Sequence, residues 1–530
     1  MKTIKHLSLL LTMTFIAAIM TVSCTKVKPK EYSVIPKDAQ LVANINIGTI
    51  SMKGDLGNIK ELKSVKETFD ELKDEEPEIG EIIEKVLSDP TATGIDIRKD
   101  IIVFVKDVAG DEVISVTASL TNAKDFEKFL SDAMKEDNID EALGITRDKD
   151  SGISQTFIQG VMFAYDNNRI IITAGEAKKW RIEEYTTSLF NLKDEDCIAS
   201  DKTFGEYWKQ RGDISAYVKY DNVMNSNYMM KEAFNDMPQE YIDEIKDMAI
   251  YYTLSFEKGC IEMKLNTIGT PAYMKNFGDH SFNSDLLNYM PATTYMAGSL
   301  VFNVNNIISL FDRFYKDDNP LNEEIDIEDY TIKDLLKAFG GSMVASAYGV
   351  TDGIPAMAMA FDFNNKKLAN LITEEMGLDK DGDIYTAEYD KLINIYYKND
   401  VIVVATDKKM LIEAANGNYR NGLYDIAGKI KKGNYFYLEL NADKFDEPLI
   451  EFLDNEMFLD YTYNYDTYEF EYQLDEESRE LFYEVLSYFD NVEMFVDDGT
   501  ILRINTSDKN TNSLAYLIKR LDELYYKTMY

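Results

Sequence analysis

Acid–base chemistry near neutral pH calls for an imidazole, and beyond His6 the chain holds one histidine, His280, in Gly278-Asp279-His280-Ser281. A Ser-His-Asp or Cys-His mechanism would have to be built on it. Its polar, glycine-containing setting reads instead as a linker. Gly340-Gly341-Ser342-Met343-Val344 lacks the glycine two places after the serine that a nucleophile elbow requires. No phosphate loop or dinucleotide fingerprint occurs. Carboxylates are the abundant reactive group, and a pair of them can hydrolyse a glycoside, one as proton donor and the other as nucleophile or base. Among 94 Asp and Glu residues, spacing alone singles out no pair, so no catalytic residue is assigned and a non-enzyme is expected.

Two acidic clusters could converge oxygen ligands on a hard cation. Asp379, Asp381 and Asp383 alternate in Asp379-Lys380-Asp381-Gly382-Asp383, and Asp148 and Asp150 lie in Asp148-Lys149-Asp150-Ser151-Gly152. A calcium loop needs Gly at its sixth position and Glu at its twelfth, where Ile384 and Asp390 stand. A solvated turn before a hairpin is the reading adopted, with no metal and no cofactor expected. Tyr461, Tyr463 and Tyr465 recur with period two in a segment continuing to Tyr468, Phe470 and Tyr472. Such spacing puts them on one strand face, where tyrosines could stack on sugars or anchor a partner, although core or edge packing is the plainer reading.

The most specific chemistry belongs to Cys24. Lys2 and Lys5 make a basic start, Leu9 to Val22 an apolar stretch, and Thr21-Val22-Ser23-Cys24 ends in cysteine after mostly small residues. This resembles a bacterial lipoprotein signal: residues 1–23 would be removed, and the Cys24 thiol and new amino group acylated. A retained membrane span is the alternative. The apolar stretch is shorter than the roughly 20 residues needed to cross the hydrocarbon, and Thr12 and Thr14 interrupt it. Residues 24–33 then form a tether. Cys197 and Cys260 remain, with no spacing that suggests a metal site, and their pairing is left open.

Loss of Lys2 and Lys5 with the leader takes the formal charge from −38 to −40. Nucleic acid and anionic lipid both reward cationic side chains and would repel so acidic a chain, so no nucleic-acid partner is expected. A hydrophobic fraction of 45% and aromatics at 12% supply real cores, and the length calls for two or more domains.

The elements that must position any site come in a repeated order. Ile35-Pro36-Lys37-Asp38-Ala39 leads into the apolar run Leu41–Ile47, and Met290-Pro291-Ala292-Thr293-Thr294 into Met296–Phe302. Strands at Ile101–Val105 and Val113–Leu120 with a helix from Lys124 match strands at Met343–Ala347 and Ala356–Phe363 with a helix from Lys366. Tyr165-Asp166-Asn167-Asn168 matches Tyr397-Lys398-Asn399-Asp400, each before an apolar strand and each with turn residues that tolerate left-handed backbone. Glu257-Lys258-Gly259 and Asp497-Asp498-Gly499 close the two copies with hairpins. Conserved order across several segments predicts a duplication, with one repeat at residues 34–285 and the other at 289–530. The class predicted is α+β, two tandem homologous repeats of antiparallel strands and hairpins with helices on one sheet face. The last helix shows the logic, with Leu514, Leu517, Ile518, Leu521, Leu524 and Tyr525 at helical spacing as a core stripe.

The Cys24 signal, the short tether, the opening Val34-Ile35-Pro36-Lys37-Asp38-Ala39 and the duplicated body resemble a family of Bacteroidota lipoproteins of unknown function. The resemblance implies an envelope location and brings no catalytic residues. Surface-exported lipoproteins of that phylum often carry acids after the cysteine. Thr25-Lys26-Val27-Lys28-Pro29-Lys30 is basic, which favours the outer membrane facing the periplasm, with surface display as the alternative. The expectation is a lipid-anchored binding or scaffolding protein with an envelope protein as partner. The alternatives are a carboxylate-dependent glycan hydrolase and a cation-dependent structural protein.

Overall fold

The computed structural model describes residues 30–530 except 76, 78–79, 81–83, 85, 87–88, 136–143, 225–238, 272–280, 292, 316–318, 326, 328, 352, 388–392, 420–428, 430–435, 465–468 and 530. Its contacts divide the chain into two compact units, one running to Gly269 and resuming at Asp508–Tyr530, the other Thr270–Ser507.

The first unit is built on ten antiparallel strands: β1 Leu41–Asn46, β2 Asp100–Val108, β3 Asp111–Ser119, β4 Thr146–Arg147, β5 Ser154–Ile158, β6 Val161–Tyr165, β7 Arg169–Gly175, β8 Ile214–Lys219, β9 Ala249–Glu257 and β10 Cys260–Ile268. Their spatial order is β10-β9-β8-β1-β2-β3-β7-β6-β5-β4. Val, Ile and Tyr dominate the central strands and suit a pleated surface buried on both sides. Alternate residues feed different cores. Val42, Ile102, Phe104, Ile171, Tyr217 and Tyr251 meet the helices Lys179–Leu189 and Lys202–Trp208, and Tyr32, Val34 and Ile35 of the opening motif join them. Ile101, Ala118 and Ile170, one residue out of phase, meet Phe126 and Leu130 of the helix Ala123–Lys135. Helices therefore pack on both sheet faces, not on one as the sequence suggested. Runs such as Ile101-Ile102 are apolar at successive positions because each face needs cover there.

The second unit has the strands β11 Met296–Val301, β12 Phe339–Thr351, β13 Ile354–Phe363, β14 Leu378–Asp381, β15 Ile384–Ala387, β16 Asn394–Lys398, β17 Val401–Ala405, β18 Phe436–Asn441, β21 Phe489–Asp497 and β22 Gly499–Thr506. They run β22-β21-β18-β11-β12-β13-β17-β16-β15-β14, all antiparallel. A separate hairpin pairs β19 Leu459–Asn464 with β20 Glu469–Leu474. Val344, Ala360, Val403 and Tyr437 share one core with Met410 and Leu411 of the helix Lys408–Ala415. Phe363 and Ile402 share another with Leu368 and Ala369 of the helix Lys366–Glu375.

Turn chemistry explains the hairpins. Asn399 and Asp400 both take positive φ, 53° and 60°, as a two-residue turn with its mirror-image twist requires. Gly259 and Gly499 stand at φ 71° and 99°, which a side chain would disfavour. In the first unit the turn after Tyr165 is held differently. Asp166 Oδ1 accepts from the backbone N–H groups of Asn168 and Arg169 at 2.7 and 2.9 Å.

The helix Ser513–Met529 belongs with the first unit, although its sequence position would place it in the second repeat. The chain returns through Asn512, whose Nδ2 donates to Phe256 O at 2.8 Å, and the helix packs on β9, β10 and the helices Ile47–Lys53 and Lys63–Glu75. Asp522 then accepts from Ser64 N and Oγ at 2.7 and 2.6 Å and from Lys63 N at 3.2 Å. A distant carboxylate so caps the first turn of Lys63–Glu75, a contact of a kind worth about 1 kcal/mol. Burial pushes the Asp522 carboxyl up, but these hydrogen bonds and the Lys63 charge hold it below its usual range. Leu514, Leu517, Ile518, Leu524 and Tyr525 are half-buried and Tyr516 is buried, whereas Leu521 is 54% exposed and stands outside the expected stripe. Among the described residues no helix is long and apolar enough to cross a membrane.

Candidate functional site

Among the described residues, an apolar trough lies across the second unit's sheet. Five residues line up through the strand register as its floor: Leu438 of β18, Gly298 of β11, Ala345 of β12, Met359 of β13 and Val404 of β17. Side chains on one face recur every second residue, so the flanking rows lie about 6.7 Å to either side. One row is Leu440, Met296, Ala347 and Met357, and the other is Phe436, Leu300, Met343, Phe361 and Ile402. Gly298 and Ala345 are smaller than Met296, Leu300 and Met343 beside them, and a cavity of about 540 Å³ opens over them. Gly298 is required by close packing, since a Cβ there would sit 2.9 Å from Tyr437 O. Helices cover the Phe361–Ile402 end. Met357, at 47% exposure, leaves the opposite row open.

The first unit has the same kind of face, with Tyr252, Ala216, Ala43, Val103, Val116 and Ile172 in register. Branched Val103 stands on β2, where the floor of the second unit has the smaller Ala345 on β12.

Polar chemistry concentrates elsewhere. On the opposite face of β18, Glu439 and β21's Glu493 both take Lys429 Nζ, at 2.8 and 2.7 Å. The Tyr437 hydroxyl lies 2.8 and 3.1 Å from the same pair, and Asn491 Nδ2 donates to Glu439 at 2.9 Å. Burial raises the Glu439 carboxyl, but Lys429, Asn491 and Tyr437 outweigh it and hold it below the usual range. Burial lowers the Lys429 ammonium, while its two carboxylate partners raise it by more. Both shifts favour ions. A glycosidase needs one carboxyl kept as a proton donor, and Glu439 is tuned the other way.

A second cluster lies inside the first unit. Glu31, Tyr32, Asn44 and Asp100 are buried, and Arg211 Nε stands 3.6 Å from Asp100 Oδ2. Ser119 Oγ donates to Glu31, Lys99 Nζ is 3.2 Å from it, and Tyr207 Oη donates to Asn44 Oδ1. Glu31 Oε2, Tyr32 Oη, Asn44 Nδ2, Asp100 Oδ2 and Arg211 Nε make no hydrogen bond among the described residues. Burial pushes the Asp100 carboxyl up to about 6, with Arg211 opposing and Glu31 adding to the rise. Asp100 and Glu31 are too deeply buried to meet a polymeric glycan.

The residues singled out from sequence are dispersed. Cys24, His280, Asp390 and Tyr465 lie outside the described residues. Asp148 organises its own turn, accepting from Asp150 N at 2.8 Å and Ser151 Oγ at 2.9 Å, and these bonds lower its carboxyl below the usual range. It also borders a polar cavity of about 490 Å³ with Glu183 and Glu184, which sequence spacing did not suggest. Asp381 and Asp383 pair separately with Lys408 at 3.1 Å and Lys398 at 3.4 Å. Asp379, Asp381 and Asp383 do not converge, and no group of three potential ligands able to hold a metal is found among the described residues. Tyr461 and Tyr463 lie on β19, opposite Tyr472 and Phe470. Cys197 and Cys260 are not joined in a disulfide, and Cys197 Sγ donates to Asp194 O at 3.0 Å. The trough was missed in the sequence, though one signal for it was present. β11 and β13 are apolar on both alternating sets of positions except at Ser299 and Asp362, which marks a sheet face in need of cover.

No curated protein matches the sequence. Among solved structures, crystal form IV of TP0453 is 11% identical, with 44% of this chain and 80% of that one covered at a TM-score of 0.24. Crystal form I of TP0453 is 10% identical, with 74% and 99% covered at a TM-score of 0.20. The family match is of another order, spanning residues 32–458 and so most of both sheets. With that span, the chain belongs to the DUF4836 family, a domain of unknown function.

Proposed function

We propose that this chain is a lipid-anchored, non-catalytic binding protein of the cell envelope, tethered through Cys24 to the outer membrane on its periplasmic side. Its body is two repeats of one α+β unit, and its binding site is the trough. The observation that carries the binding reading is the apolar sheet face over Gly298 and Ala345, with a cavity of about 540 Å³ and methionines on its flanks. Pockets of this size and character are where small apolar ligands bind, and open apolar sheet faces mark interaction sites. The repeat reading is supported by the shared strand order. By its pairings, each strand from β1 to β10 has its counterpart in the same position among the second unit's strands, although the last helix belongs with the first unit.

The purified mature chain is expected to bind the neutral solvatochromic dye Nile red at one saturable site. Leu300→Gln, which puts an amide in the trough wall, should weaken that binding roughly tenfold, because an unpaired polar group against an apolar ligand costs over 1 kcal/mol. Equal binding by this variant, or none by the parent chain, would refute the reading. Anchoring has its own test: Cys24→Ala should move the protein from the membrane fraction to the soluble one, and unchanged fractionation would rule the anchor out.

A further inference from the structure

We infer that the trough holds a single unbranched hydrocarbon chain, the acyl or alkyl tail of a lipid. This rests on the binding reading above and goes further by naming the occupant. The first argument is dimensional. The rows flanking Gly298 and Ala345 are about 13 Å apart between backbone positions, and their Met, Leu and Phe side chains narrow that gap. An α-helix with its side chains needs about 10–12 Å. One hydrocarbon chain needs much less. Along its length the floor crosses five strands, from Leu438 to Val404, about 19 Å at the usual strand spacing. Half of a bilayer's hydrocarbon core is about 15 Å, the reach of one lipid tail.

The second argument concerns hydrogen bonding. The floor is mid-sheet, and β11, β12 and β13 are each paired on both sides. An extended peptide laid in the trough would find no sheet edge, so its backbone N–H and C=O groups would be buried unpaired. A hydrocarbon chain carries no such groups. An apolar cavity of this kind stays dry and takes apolar guests. Met296, Met343, Met357 and Met359 line it, and their unbranched thioethers adapt to a flexible chain better than branched side chains do.

Charge narrows the choice of head group. A formal net charge of −38 opposes an anionic head, so a neutral or zwitterionic one is expected. Both a free long-chain alcohol and a phospholipid satisfy this, and their shared chemistry is the tail.

The test is uptake of radiolabelled hexadecanol, palmitate and dipalmitoyl phosphatidylethanolamine by delipidated mature protein, beside Nile red. The parent chain should take up about one equivalent, hexadecanol or phosphatidylethanolamine in preference to palmitate. Ala345→Phe, which fills the floor, should reduce uptake at least about tenfold while circular dichroism remains native. Met359→Gln serves the same purpose should the larger side chain impair folding. Separate alcohol and phospholipid arms identify the source of the tail. Nile red binding without uptake of any tail would overturn this inference and leave the binding reading standing. Loss of both would overturn both. Tail uptake undiminished in Ala345→Phe and Met359→Gln would place the tail elsewhere and refute the assignment.

Discussion

Deleting Asp508–Tyr530 is expected to unfold the first unit while sparing the second. The deletion removes the half-buried side chains of the last helix and the Asp522 cap on Lys63–Glu75, in total on the order of 5 kcal/mol. That is comparable to the whole stability of a typical domain. The chain offers a selective reporter, because its two tryptophans, Trp180 and Trp208, both lie in the first unit. In urea, tryptophan emission should therefore show a midpoint lowered by about 1–2 M or an unfolded signal from the start. Far-ultraviolet circular dichroism should retain the second unit's transition. An unshifted tryptophan midpoint would mean the helix contributes little to the fold it touches.

The second large effect follows pH. Asp100 has a folded-state pKa of about 6 against an ordinary 3.8, so the folded chain holds this proton more tightly than the unfolded chain does. Its contribution to stability is fully present below 3.8 and is lost as pH rises through 6. At neutral pH the ionised, buried carboxylate costs about 3 kcal/mol relative to acid. Among the charged groups around it, Arg211 opposes the rise and Glu31, itself paired with Lys99, adds to it. Asp100→Asn should raise the urea midpoint at pH 7.5 by about 1 M and flatten the first unit's stability between pH 4 and 6. Trp208 is well placed to report this, since its ring stacks edge-on with Tyr32 at 4.4 Å and lies 3.5 Å beneath the Arg211 guanidinium. A lower midpoint in Asp100→Asn would show that the ion pair with Arg211 outweighs the cost of burial.

Local chemistry was legible in the sequence and long-range assembly was not. Asn399-Asp400, Gly259 and Gly499 announced their hairpins because turn conformation depends on a few adjacent residues. The opening Val34-Ile35 was visible as a landmark, although only the structure shows it buried against Phe204 and Tyr207. The trough floor is drawn from four distant segments, β18, β11, β12–β13 and β17, and only strand register brings Gly298 opposite Ala345. The polar cluster is scattered in the same way, from Glu31 to Arg211. An amphipathic helix at Ser513–Met529 could be read from its spacing. Spacing says that a helix will bury a stripe, and is silent on which partner receives it.

The path of that last helix sets the order in which the molecule can be completed. The whole stretch Thr270–Ser507 must emerge, whether in synthesis or in export, before the last helix can reach the first unit. Throughout that interval the amino-terminal segment lacks its closing helix, and β9, β10 and the first turn of Lys63–Glu75 lack their cover. The intervening unit, continuous in sequence, has all it needs before the first one does. Maturation therefore runs from the middle of the chain outward, and the earliest-made strands are the ones that must be kept from aggregating longest.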